Sequence, residues 1–312
     1  MANDSSVINP VIIVGAGLSG LALTYRLERL GIAPVIVDGA ANVGAIWRHR
    51  YEQLRLNTHR RFSQLPGLAP PRNGGAYLSR DTVIRYLEDY ERLLAASVEY
   101  GVHVKRIDRE GDVWRVHTAQ GVRKARHVVI ATGRERIPNL PVWPGLGKYE
   151  GNLLHAAEFG NVEAYRDLAI LVVGGGNSGV DLLNHLVTIP TRGLWLAVRN
   201  GVNVIPASLW GAPVHRLSGV MSWLPNRVVD RLMALTGLLA FGRLDRYGLP
   251  RCSRGARYRQ WVRSRLEMRP SPSGARRRAV PRQGGRTGGP APLASGCGDM
   301  RDRLSHRPGA DN

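Results

Sequence analysis

Six glycines carry the first chemical signal in this chain. Gly15, Gly17 and Gly20 in "GAGLSG" and Gly174, Gly176 and Gly179 in "GGGNSG" share the spacing GxGxxG. In such a turn the first glycine permits a tight bend and the second lets a pyrophosphate approach the backbone. The third lets the following helix pack closely on the preceding strand. The helix N-terminus then aims unpaired N–H groups and a partial positive charge at the phosphates. Two such turns in 312 residues point to two nucleotides handled by one chain.

That chemistry requires a strand before each turn and a helix after it. "VIIV" (11–14) reads as a buried strand, "LSGLALTYRLERLG" (18–31) has apolar residues at helical spacing with Gly31 as a stop, and "PVIVD" (34–38) is a second strand ending in Asp38. A carboxylate at that position can accept hydrogen bonds from a ribose. The second unit repeats the order with "LAILVV" (168–173), "VDLLNHLVTI" (180–189) and "LWLAVR" (194–199), but its second strand ends in Arg199. A guanidinium there suits a 2′-phosphate, which favours NADP over NAD; a solvated strand-end charge is the alternative.

Between the units, "SRDTVIRYLEDYERLLAASVEYG" (79–101) predicts an amphipathic helix capped by Ser79. "HVKRID" and "DVWRVHTA" predict paired strands of a small sheet about Glu110 and Gly111, and "ARHVVIATG" (125–133) a further buried strand entering a glycine turn. A linker is expected from Pro141 to about Asp167. Beyond Arg199 the pattern turns helical, most clearly in "VMSWLPNRVVDRLMALTGLLAF" (220–241). The implied fold class is α/β with two Rossmann-like dinucleotide-binding units, the first over 1–160 and the second over 161–250.

Residues 251–312 hold five Leu, Ile, Val or Phe, 15 arginines and four acids. So little apolar area cannot offset the entropy of ordering, so a disordered tail without strands is expected there. Much of the +20 net charge sits in that tail, and 41 of the 44 basic residues are arginine, so a coding bias explains it as well as a nucleic-acid partner would. No specific nucleic-acid partner is expected. No run approaches a membrane span of roughly 20 apolar residues, and no secretory signal is visible, which predicts a cytoplasmic protein. Cys252 and Cys297 both lie in the tail, so residues 1–250 contain no CxxC redox centre and no thiolate metal site. No metal is expected.

The ordered series GAGLSG, "GAIW" (44–47), "ATG" (131–133), "YEGNLLHAAEF" (149–159) and GGGNSG resembles the class B flavin-dependent monooxygenases. Tyr149, Gly151, His155 and Phe159 match that family's FxGxxxHxxx(Y/F) motif with tyrosine in the leading place. "LRLNTHRRFSQLP" (54–66) and "AVRNGVNVIPASLWG" (197–211) are similar to the YUCCA-type indole-3-pyruvate monooxygenases and their bacterial relatives.

The resemblance implies that Gly15, Gly17, Gly20 and Asp38 hold FAD with Trp47 close by. Ala131, Thr132 and Gly133 would form the crossing between domains. Gly174, Gly176, Asn177, Ser178, Gly179 and Arg199 would hold NADP(H). Asn57 matches an asparagine near the flavin in some members, and His155 would be structural or lie beside NADP. Asp38 stands where members often have Glu, and Ala45 where they have Gly. The implied reaction is hydride transfer from NADPH to FAD, after which a C4a-(hydro)peroxyflavin formed with O2 oxygenates a small organic substrate. A disulfide reductase would need the missing CxxC. The family's returning segment, with a second ATG-like strand, has no counterpart after Pro250, so a missing or frame-shifted C-terminal part is expected. A fragment without turnover, and a nucleotide-binding scaffold with an Arg-rich nucleic-acid-binding tail, stay open as alternatives. The residues leave the oligomeric state open.

Overall fold

In the computed structural model the chain divides into two compact units, Met1–Arg269 and Pro270–Asn312. The structure describes residues 7–135, 137–198, 203–206, 208–209, 212–217, 221, 223–243 and 261–264, all within the first unit. Arg199, both cysteines and most of the expected tail lie outside the described residues.

The apolar run before the first glycine turn forms β1 (Ile8–Val14), followed by α1 (Leu18–Glu28) and β2 (Pro34–Val37). Next come the short helix α2 (Ala45–Arg48), α3 (Arg80–Arg92) and β3 (Val98–Glu99). The strands β4 (Val104–Glu110), β5 (Val113–Thr118) and β6 (Gly121–Ile130) complete a six-stranded sheet of order β3-β2-β1-β6-β5-β4. Strands β3, β2, β1 and β6 run parallel, with β4 and β5 antiparallel at the end.

Alternate residues of β1 serve opposite faces of this sheet, as the period of a strand requires. Val11 and Ile13 pack with Leu21 of α1 and Leu87 and Tyr90 of α3. Ile12 and Val14 pack with Val102, Val116 and Ala125. A strand buried on both faces explains why "VIIV" is a continuous apolar run.

In the second half, β7 (Ala169–Val173), α4 (Asn177–Leu186) and β8 (Gly193–Ala197) form the expected βαβ unit, with β7 and β8 parallel. Val172, Leu182, Leu186 and Ile189 make its core together with Phe159 and Val162. Strands β9 (Asn203–Pro206), β10 (Ser208–Leu209) and β11 (Ala212–Pro213) precede α5 (Asn226–Phe241), and β12 (Trp261–Ser264) pairs parallel with β9.

Four expectations are corrected. The helix expected over 79–101 stops at Arg92, and Val98–Glu99 crosses into the sheet beside β2. The strands expected as a separate small sheet join the main one, because β6 is ten residues long and pairs with β5 over Gly121–Ala125 and with β1 over Lys124–Ile130. The helical stretch expected directly after Arg199 contains β9, β10 and β11 and a 3-10 turn at Val214–Leu217, and its long helix begins at Asn226. Finally, Trp261–Ser264 in the supposedly strandless tail is β12, supplied with backbone partners by β9.

Candidate functional site

The two glycine turns have nearly superposable local chemistry. Gly15 bends with φ +111° and its N–H donates to the Val37 carbonyl at 2.8 Å; Gly174 bends with φ +104° and its N–H donates to Ala197 at 2.9 Å. Gly17 and Gly176 cap α1 and α4 in extended backbone, with φ near −80° in each. A Cβ on Gly20 would fall 1.9 Å from the Gly15 carbonyl oxygen, and one on Gly179 would fall 2.1 Å from that of Gly174. By contrast, a Cβ at Gly17 or Gly176 would meet nothing within 4 Å. The tight positions hold helix to strand, and the open ones leave space for a ligand against bare backbone.

Neither α1 nor α4 has a side-chain cap or an acidic residue in its first turn. Neither helix start is thus taken up by a capping side chain or a carboxylate of its own first turn. Such an end is complementary to a phosphate, whereas α3 satisfies its own start with the Ser79 hydroxyl and carries Asp81 in its first turn. The residues at both turns therefore fit a dinucleotide pyrophosphate.

Asp38 follows β2 as expected, and its carboxylate also secures the loop. Oδ2 accepts the Ala16 N–H at 2.7 Å and Oδ1 accepts the Ala40 N–H at 2.8 Å. Each oxygen retains a lone pair for a ribose hydroxyl.

Ala131, Thr132 and Gly133 continue from β6 past the first glycine turn, with the Ala131 N–H donating to Val14 at 2.8 Å. A Cβ on Gly15 would lie 2.5 Å from the Ala131 carbonyl oxygen. Together with Ser19 and Leu23 of α1, these residues border a cleft of about 480 Å³. The second unit has no equivalent neighbour among the described residues, and a Cβ on Gly174 would meet nothing within 4 Å.

Trp47 lies on α2, half-buried against the core that contains Leu21 and Leu87. Asn57 is exposed. His155 is half-buried and acts as a cap: its Nδ1 accepts the Ala157 N–H at 3.1 Å, and its own N–H donates to Glu158 at 3.2 Å. Asn177 and Ser178 open α4 at the second turn and are exposed.

One pair was not singled out by sequence. The buried Tyr51 donates its hydroxyl to Asp181 of α4, 130 residues away in the chain. Burial, and then the Asp181 carboxylate, push the Tyr51 phenol well above its ordinary pKa, so it stays a protonated donor. No local spacing relates the two residues; only the three-dimensional contact reveals them.

Residues 12–195, more than half of the chain, match the family described as pyridine nucleotide-disulphide oxidoreductase. The chain belongs to that family. Within it, the similarities run to the class B flavin monooxygenases. An indole-3-pyruvate monooxygenase of Oryza sativa subsp. japonica, YUCCA1, is 32% identical over 249 residues. A probable indole-3-pyruvate monooxygenase of Arabidopsis thaliana, YUCCA7, is 33% identical over 261 residues. Each alignment takes in 78% of this chain, and the chain spans 61% and 59% of the respective relatives. A mutant flavin monooxygenase from Stenotrophomonas maltophilia superposes with a TM-score of 0.61 at 29% identity, covering 68% of this chain and 63% of that one. Among the described residues no helix is long and apolar enough to cross a membrane.

Proposed function

We propose that this chain binds FAD at Gly15–Gly20 and NADP(H) at Gly174–Gly179 and belongs to an NADPH-dependent flavin monooxygenase acting with O2 on a small organic substrate. The observation that carries the reading is the repeated cradle: two helix starts with no cap, each preceded by an open glycine and followed by a closed one. The family match over residues 12–195, which takes in both cradles, and the similarity to monooxygenases support it. The proposed division is a first nucleotide-binding part over 1–160 and a second over 161–250, and the proposed compartment is the cytoplasm.

In this reading a bound flavin supplies hydride acceptance and oxygen activation. The chain's own residues bind and orient. The N–H groups of the first turn of α1 would hold the FAD pyrophosphate and Asp38 the ribose, with Trp47 close to the flavin. At the other cradle, Asn177 and Ser178 would stand at the NADP pyrophosphate, and Arg199, two residues past β8 in sequence, would receive the 2′-phosphate. His155 shapes the connection between the two parts by capping its 3-10 turn.

The test is reduction of the loaded protein. Purified chain is saturated with FAD, freed of excess flavin, and mixed with NADPH without oxygen. Bleaching of the visible flavin band by NADPH, with a much weaker response to NADH, is the expected result. Protein that retains no flavin, or retained flavin that NADPH leaves oxidised, overturns the proposal.

A further inference from the structure

The segment from Arg50 to Leu56 is held by both halves of the first compact unit. On one side, the Arg80 guanidinium donates to the Arg50 carbonyl at 2.9 Å, the Arg80 N–H donates to Leu54 at 2.8 Å, and the Leu56 N–H donates to Leu78 at 2.8 Å. On the other side, Tyr51 donates to Asp181, and the Asn161 amide donates to Glu52 at 2.9 Å. The Tyr51 ring meets Phe159 edge-on at 5.8 Å and His185 at 6.0 Å, and Leu54 joins the same core. Asp181 lies one helical turn beyond Asn177, the residue that opens α4 at the second cradle. Tyr51 comes three residues after α2, which carries Trp47, and six before Asn57.

We propose that Tyr51 and Asp181 form a positioning pair that transmits occupancy of the second dinucleotide cradle to the Trp47–Asn57 segment. A phosphate held at the start of α4 restrains that helix, and the helix restrains Tyr51 through the hydrogen bond from the phenol hydroxyl to Asp181, which fixes both distance and direction. Residues 45–57 then have one fewer way to move. An apolar contact alone would keep the ring buried without fixing its angle; the phenol hydroxyl is what ties it to one atom of α4. This inference rests on the dinucleotide reading of the second cradle.

Amide hydrogen exchange tests it on the FAD-saturated full chain, with and without oxidised NADP. In the wild type, NADP is expected to slow exchange in 174–186 and also in 45–57. In Tyr51→Phe the slowing at 174–186 persists while that at 45–57 falls at least several-fold. Asp181→Asn, which keeps an oxygen to accept the phenol proton, retains both effects. Asp181→Leu, which leaves the Tyr51 ring in place, repeats the Tyr51→Phe result from the helix side and serves if that variant does not fold. Equal slowing at 45–57 in the wild type and in the uncoupled variants overturns the pair while leaving the second cradle intact. No slowing at 174–186 in the wild type overturns the dinucleotide reading itself and the proposal with it.

Discussion

Gly20 lies over Gly15 with no room for a methyl group, since a Cβ there would come within 1.9 Å of the Gly15 carbonyl oxygen. Gly179 stands to Gly174 in the same relation at 2.1 Å. The obstacle is backbone in both cases, so no side-chain rotation relieves it. Gly20→Ala and Gly179→Ala are each expected to lower stability by about 2–3 kcal/mol, as overpacked sites do. Denaturant unfolding checks this, and wild-type midpoints in both variants would contradict the packing described.

Gly17 and Gly176 make the opposite prediction. Their backbone angles suit any residue, and an added Cβ meets nothing within 4 Å in the protein itself. Gly17→Ala and Gly176→Ala should therefore change stability by no more than about 1 kcal/mol. The methyl group instead occupies the approach to the pyrophosphate. A loss of about tenfold or more in affinity, roughly 1.4 kcal/mol, is expected for FAD in the first variant and NADP in the second. Titration of each nucleotide separates the two effects, and a variant with undiminished binding removes that cradle from the site.

Asp38 has two separable duties. Asp38→Ala leaves the Ala16 and Ala40 N–H groups without their acceptors, with Ala16 only 3% exposed. An expected loss of about 1–3 kcal/mol follows from orphaning one buried and one half-buried backbone donor. Asp38→Asn keeps one carbonyl oxygen and should lose less. Thermal unfolding of the flavin-free protein measures the structural duty, and FAD titration measures the ribose contact.

Acid should loosen the β4–β5 hairpin through Asp108. Hydrogen bonds from Arg115 and then His117, with Arg106 nearby, hold its carboxyl at about 2, below the ordinary 3.8. Because the folded value is the lower one, its stabilising effect is complete above the ordinary value and is lost as pH falls from about 4 towards 2. Asp108→Asn is expected to flatten that part of the stability-against-pH curve. An unaltered acid limb in the variant refutes the assignment.

The parts of the fold legible in the sequence were those with a local rule. The glycine spacing, the buried run at Val11–Val14, the apolar run at Ala169–Val173 and the Ser79 cap each state their geometry within a few residues. Strand β3 has only two residues and takes its structure from β2, so nothing in "AASVEYG" announces where the helix gives way. Likewise β12 exists through its pairing with β9, across more than fifty intervening residues. The site shows the same division. Gly15, Gly17, Gly20 and Asp38 converge as expected, whereas Tyr51 and Asp181 meet only because two βαβ parts pack on the segment between them. His155 was legible as a motif member, but its action as a cap emerged only from the hydrogen bonds of Ala157 and Glu158.

Among the described residues, β7 pairs with β8 alone, and Leu171 and Val173 along it are 60% and 54% exposed. Apolar side chains exposed together on one face of a strand can meet the same face of another copy. The +20 net charge opposes that encounter by mutual repulsion, and added salt screens it within about 10 Å at 0.1 M. Colloidal behaviour in solution thus becomes a contest between these exposed apolar side chains and a strongly cationic chain, with clarity in dilute buffer giving way to turbidity as ionic strength rises.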